Sequence, residues 1–194
     1  MLPLGAPAAP LGSRMSNRAI VFEALDFAAR RHRDQRRKGP GGAPYVNHLI
    51  EVVRLLSVVA GVEDPEVLAA GALHDVLEDT KTQPEELTEH FGSRVTNLVR
   101  SLTDDRTLSR ETRRAITLKH LSIAEEIVRL IKLADLTSNV AELPSDWDHE
   151  RRQTYLDWSA RAAQLCFGQS EALDRLYQQR VLNARVATAA TGSA

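Results

Sequence analysis

Apolar residues recur along this chain at three- and four-residue intervals, and no stretch sustains the two-residue alternation of a strand. Val21, Ala24, Leu25 and Ala28 predict an amphipathic helix over 17–36, ended by the turn Gly39-Pro40-Gly41-Gly42. Leu49, Val52, Val53, Leu56 and Val59 mark a second helix, stopped at Gly61. Asp64-Pro65 then supplies a cap and a first-turn proline for a third segment. Further helices are predicted over 84–90, 93–101, 109–121, 123–143, 149–167 and 170–182. The pattern gives an all-α protein, a compact helical bundle forming one domain over 17–184. The ends, 1–16 and 185–194, are expected to be disordered tails, and Met15 is a candidate translation start.

The third segment carries the chemistry. It runs apolar from Val67, yet within it stand His74-Asp75 and then Glu78-Asp79. A helix this apolar belongs in a core, where ionisable groups need opposite charges or a metal ion. Helical spacing sets His74 one turn from Glu78 and Asp75 one turn from Asp79, so that all four project from one side. Two further candidate ligands lie in apolar settings: His48 at the start of a helix, and Asp135 within Ile131-Lys132-Leu133-Ala134-Asp135-Leu136. Two nitrogens and two oxygens suit a divalent transition ion and leave open positions on an octahedral one such as manganese, with zinc or iron chemically acceptable. Glu78 and Asp79, a turn beyond, have the chemistry to orient and deprotonate a water.

Composition narrows the ligand. A chain of 194 residues with 43% hydrophobic content fits a single domain. Its formal net charge of −1 argues against broad binding to nucleic acid or an anionic membrane, while Arg36-Arg37-Lys38 forms a local basic segment suited to a small anion. A single cysteine, Cys166, excludes an intrachain disulfide, and the apolar runs are too short to span a bilayer, so a cytoplasmic location is expected. Cys166 reads as a small buried hydrophobe, and Trp147 and Trp158 as core aromatics. Association of copies is compatible with all of this.

Taken in order, Arg37-Lys38, Pro44-Tyr45-Val46-Asn47-His48, His74-Asp75-Val76-Leu77-Glu78-Asp79-Thr80, Thr103-Asp104-Asp105 and Lys132-Leu133-Ala134-Asp135 with Asn139 resemble the HD-domain metal-dependent phosphohydrolases. Within them the chain is most similar to the hydrolase domain of RelA/SpoT homologues, in the form of the stand-alone small alarmone hydrolases. The resemblance covers about 19–182. It implies an HD bundle holding Mn2+ through His48, His74, Asp75 and Asp135, with Glu78 and Asp79 activating the attacking water. It also implies the reaction: removal of the 3′-pyrophosphate of (p)ppGpp, a small-molecule nucleotide of the stringent response, to give GDP or GTP. Arg37, Lys38, Asn139 and Tyr155 correspond to substrate contacts, as do Arg106, where relatives often place lysine, and Arg151.

The chain departs from these relatives in one segment. They commonly carry a basic residue after the aspartate and an aromatic or histidine before the asparagine, whereas this chain reads Asp135-Leu136-Thr137-Ser138-Asn139. The segment before Trp147 is also shorter. Loss of a charge and a ring beside the nucleotide opens the adenosine analogues (pp)pApp as alternative substrates. A phosphatase acting on another nucleotide phosphoester, or a nucleotide sensor without turnover, are the competing readings.

Overall fold

The computed structural model describes residues 19–38 and 41–191, and every regular element among them is helical. The first half comprises α1 (Ala19–Arg31), α2 (Val46–Arg54), α3 (Pro65–Leu73), α4 (Val76–Asp79) and α5 (Pro84–Leu102). The second comprises α6 (Arg110–Leu121), α7 (Glu126–Ala141), α8 (His149–Cys166) and α9 (Glu171–Thr191). The expected tail over 1–16, Met15, and Gly39 and Pro40 of the predicted turn lie outside the described residues.

Local chemistry explains several of the boundaries. The Asp64 carboxylate accepts the Glu66 N–H ahead of Pro65 at the first turn of α3, and Ser109 and Asp148 cap α6 and α8 in the same way. Past α2 the chain continues through a π-helical turn, Leu55–Val59, in which the Ala60 N–H reaches back to Leu55 O at 2.9 Å. The two helices predicted over 84–90 and 93–101 form the single element α5, kinked at Gly92, whose φ of +83° only glycine adopts without strain.

Three boundaries differ from the sequence pattern. First, α1 ends at Arg31 instead of running to 36, because residues 35–37 pair with 43–45: the Arg37 N–H donates to Ala43 O at 2.8 Å and the Tyr45 N–H to Gln35 O at 3.1 Å. Second, the helix expected to carry all four acidic-site residues breaks at His74-Asp75 between α3 and α4, so a continuous helical register from His74 to Asp79 does not hold. Third, residues 185–191, expected in a disordered tail, are helical. Buried Thr188 ties this last turn down: its hydroxyl donates to Ala184 O at 2.7 Å and its carbonyl lies 3.1 Å from His149 Nδ1 at the start of α8.

Helix α3 is buried almost all round, from Val67 through Leu73, and packs against α1, α2 and α5. Gly71 permits a close approach to the π-helical turn after α2: a Cβ there would stand 2.6 Å from Leu56 Cδ1. Helix α7 touches α2, α3, α5, α8 and α9, with residues Leu133 through Ser138 all buried. The end of α3, the start of α2 and the middle of α7 therefore meet inside the bundle. Each carries one of the predicted ligands.

Candidate metal centre and adjoining cavity

His48 on α2, His74 at the end of α3 and Asp135 on α7 are buried, and their ligand atoms lie within 4.8 Å of one another. The two Nε2 atoms are 3.3 Å apart. Asp135 Oδ1 is 3.3 Å from His48 Nε2 and 3.6 Å from His74 Nε2. Asp75, partly exposed, points its Oδ2 to within 3.0 Å of His74 Nε2 and 3.6 Å of His48 Nε2. All four predicted ligands thus converge despite the helix break.

The outward-facing ring nitrogens define which atoms look inward. His74 Nδ1 is 2.8 Å from Gly71 O, which can only accept, so Nδ1 carries a proton and Nε2 is the nitrogen turned toward the cluster, free to ligate a cation in the neutral ring. His48 Nδ1 is 2.9 Å from Ser138 Oγ, and that hydroxyl donates to Glu51 Oε2 at 2.7 Å, so the neutral His48 ring also turns a lone pair inward. Two imidazole Nε2 atoms and two carboxylate oxygens brought this close together make a donor set that suits a divalent ion, with the cation taking the place of the ring proton.

Electrostatics agree. Burial works against protonated His74, but the Asp75 and Asp135 charges outweigh it and hold the ring well above its ordinary pKa. Burial likewise pushes up on Asp75 and Asp135, and is overcome at Asp75 chiefly by His74 and at Asp135 chiefly by Lys132, whose Nζ lies 2.9 Å from Asp135 Oδ2. The cluster therefore strongly favours positive charge at its centre.

Beside it opens a cavity of about 720 Å³. Arg37, Lys38, Glu78, Asp79, Arg106 and Asn139 line it, and Tyr155 and Trp147 form an aromatic wall. Glu78 Oε2 accepts the Asp104 N–H at 3.1 Å, and burial, followed by the Asp75 charge, pushes the Glu78 carboxyl up to about 7. Asp79 accepts Gln35 Nε2 at 2.7 Å and is paired with Arg106. Arg37 Nη1 donates to Asn139 Oδ1 at 2.9 Å, and Asn139 Nδ2 to Asp135 Oδ1 at 2.5 Å, linking the basic segment to the ligand cluster.

Several sequence expectations change here. Arg151 does not line the cavity; its guanidinium stacks on Trp147, 4.6 Å from the ring centroid. Trp147, read as a core aromatic, lines the cavity, whereas Trp158 packs against the core with its indole N–H 3.3 Å from Arg114 O. Leu136 and Ser138, expected beside the nucleotide, are both buried away from the cavity, Leu136 in the core and Ser138 behind His48. Cys166 is fully buried with its thiol pushed up to about 12, an inert hydrophobe as expected.

Sequence reasoning missed Gln35 and Tyr45. Tyr45 donates to Asp75 Oδ2 at 2.5 Å and stacks on His32, which in turn bonds Gln35 Oε1 through Nδ1 at 2.5 Å. The pairing of 35–37 with 43–45 delivers both residues. The only sequence signal was their place beside the basic pair and the Pro44-Tyr45 motif.

The family model described as the HD domain matches residues 24–159. The chain is 42% identical over 175 residues to human guanosine-3′,5′-bis(diphosphate) 3′-pyrophosphohydrolase MESH1, covering 86% of this chain and 98% of that protein. The Drosophila melanogaster protein of the same name is 39% identical over 172 residues, covering 84% and 96%. Among solved structures, one described as a metazoan ortholog of SpoT that hydrolyzes ppGpp and plays a role in starvation responses superposes with a TM-score of 0.81 at 36% identity, covering 89% of this chain and 98% of that one.

Proposed function

This chain belongs to the HD-domain family, among stand-alone SpoT-like hydrolases, and from that premise we propose that it hydrolyses the 3′-pyrophosphate of ppGpp at the cluster of His48, His74, Asp75 and Asp135. One observation carries the assignment to this site: inward-facing imidazole and carboxylate donors meet beside a cavity walled by both basic and aromatic groups. Those four residues would hold the metal, with Mn2+ the proposed ion. Bound there, it supplies Lewis-acid stabilisation of charge on a phosphoryl oxygen and makes water more acidic.

The remaining steps belong to the protein. Hydrolysis adds hydroxide to the phosphorus next to ribose O3′ and a proton to O3′, breaking the bond between them and releasing pyrophosphate and GDP. Glu78 and Asp79, on the cavity wall, take the proton from the attacking water. Glu78 is poised for this, since its carboxyl titrates at about 7. Arg37, Lys38 and Arg106 neutralise phosphate oxygens, with the guanidinium forks able to bind two at once. Asn139 orients the ribose end of the substrate, and Tyr155 and Trp147 form the face against which base or sugar packs. Leu136 and Ser138 face away from this cavity, so their divergence from relatives gives no ground for preferring adenosine. A cytoplasmic location belongs to the same proposal, on the strength of the nucleotide substrate.

The test is a product assay on Mn2+-loaded protein given matched guanosine and adenosine 3′-pyrophosphate nucleotides. Stoichiometric pyrophosphate and GDP from ppGpp is the expected result. Orthophosphate alone would overturn the reaction assignment, and turnover confined to the adenosine nucleotide would overturn the base assignment.

A further inference from the structure

Behind His48, on the side away from the cavity, runs a polar chain that the reaction itself does not use. Ser138 Oγ receives the His48 Nδ1–H at 2.9 Å and donates to Glu51 Oε2 at 2.7 Å. Glu51 Oε1 accepts Arg180 Nη1 at 2.8 Å, and the same Nη1 lies 3.0 Å from Thr137 O. The four side chains come from α2, α7 and α9. Ser138 and His48 are buried, so neither has bulk water as a substitute partner.

A hydroxyl set between an imidazole and a carboxylate has one consistent proton arrangement here. Glu51, held as a carboxylate by Arg180, can only accept, so the serine proton points to it and the serine lone pair points to His48. That fixes the proton on Nδ1, leaves Nε2 unprotonated toward the cluster, and holds the ring plane. A carboxylate beyond the serine also polarises the imidazole and makes Nε2 a better donor to a cation, the role that carboxylate–histidine pairs play directly at many metal sites.

We propose that Ser138, Glu51 and Arg180 are positioning residues for the metal: a relay through the Ser138 hydroxyl that holds His48 in its ligating tautomer and ties metal affinity to the C-terminal helix α9. Glu51, three residues from His48 on α2, supplies the charge to which the Ser138 hydroxyl is bonded. The relay rests on the reading of His48 as a ligand, and the experiment separates the two.

Full-length wild type, Ser138→Ala, Ser138→Thr, Glu51→Gln and His48→Ala are stripped with chelator and titrated with Mn2+, free ion being read by its EPR signal, with no substrate present. Ser138→Ala is expected to raise the Mn2+ Kd about 10- to 100-fold, the usual effect of losing a partner of a ligating histidine. Ser138→Thr, which keeps the hydroxyl, stays within a few-fold of wild type, and Glu51→Gln falls between them. Matching far-UV circular dichroism before metal addition checks that each variant is folded. Wild-type affinity in both Ser138→Ala and Glu51→Gln, alongside a loss in His48→Ala, would overturn the relay and leave the ligand assignment standing. Wild-type affinity in His48→Ala would overturn both.

Discussion

His48 Nε2 and His74 Nε2 stand 3.3 Å apart, each on the inward edge of its ring. Two nitrogens each about 2.1 Å from a single ion are separated by about 3.0 Å at a right angle and about 3.4 Å at the tetrahedral angle. The spacing therefore already suits a shared cation. Removing either side of the donor set leaves too few ligands, so His74→Ala and Asp135→Ala are expected to lose bound metal. Elemental analysis of dialysed protein should show wild type near one equivalent and both variants well below it; wild-type occupancy in either would contradict its place among the ligands.

The acid side of the rate profile follows from Glu78. Its carboxyl, pushed up to about 7 by burial and the Asp75 charge, is protonated below that pH and ionised above it. Only the ionised form can take a proton from water, so the rate rises with pH. A divalent cation nearby favours the carboxylate and draws the midpoint down. At saturating metal, kcat should climb along a limb centred at or below pH 7, and Glu78→Gln should lose that limb together with about 10²- to 10⁴-fold in kcat. A limb unchanged in Glu78→Gln would assign the titration to another group.

Asp79 is held from two sides, by the Gln35 amide and by Arg106, in a position on the cavity wall. Asp79→Asn keeps the shape and removes the charge, so kcat should fall by at least 100-fold with metal content unchanged. Gln35→Leu deletes the amide contact to Asp79, together with the Gln35 bond to His32, but leaves the Asp79 charge and Arg106 in place, so a smaller loss, about tenfold, is expected in kcat with little change in KM. Hydrolysis surviving in Asp79→Asn at wild-type metal content would exclude it from water activation.

The helices, and the four residues that converge as candidate ligands, were legible in the sequence because both depend on local signals. Period-3.6 apolar spacing marks a buried helix face, and histidine or aspartate inside such a face needs a partner. The break at His74-Asp75 was not legible, since Ala72-Leu73-His74-Asp75-Val76-Leu77 carries no helix breaker. What accompanies it includes a tertiary contact: the His74 ring, anchored locally on Gly71 O, turns its other nitrogen toward Asp135, 61 positions along the chain. The Ser138–Glu51 and Arg180–Glu51 contacts span 87 and 129 positions, beyond any spacing rule. Leu136 and Ser138 were placed beside the nucleotide by analogy with relatives, yet on α7 they face the interior, while Asn139 faces the cavity.

Gly71 sets the depth at which α3 delivers His74. A Cβ at this position would lie 2.6 Å from Leu56 Cδ1, far inside van der Waals contact, and Leu56 is itself fully buried with little room to turn. Alanine ordinarily favours a helix interior over glycine by up to about 1 kcal/mol, so a helix-propensity effect alone predicts that Gly71→Ala stabilises. Overpacking opposes this, at about 1–3 kcal/mol, and is the larger effect. Gly71→Ala should therefore lower Tm by several degrees in a chain of this size and weaken metal binding as α3 shifts His74 outward. Leu56→Ala alone opens a cavity and destabilises. In the double variant each change relieves the other, so the combined loss measured by thermal melting should be smaller than the sum of the two. Strict additivity would mean that the contact does not govern the approach of α3 to the π-helical turn that follows α2.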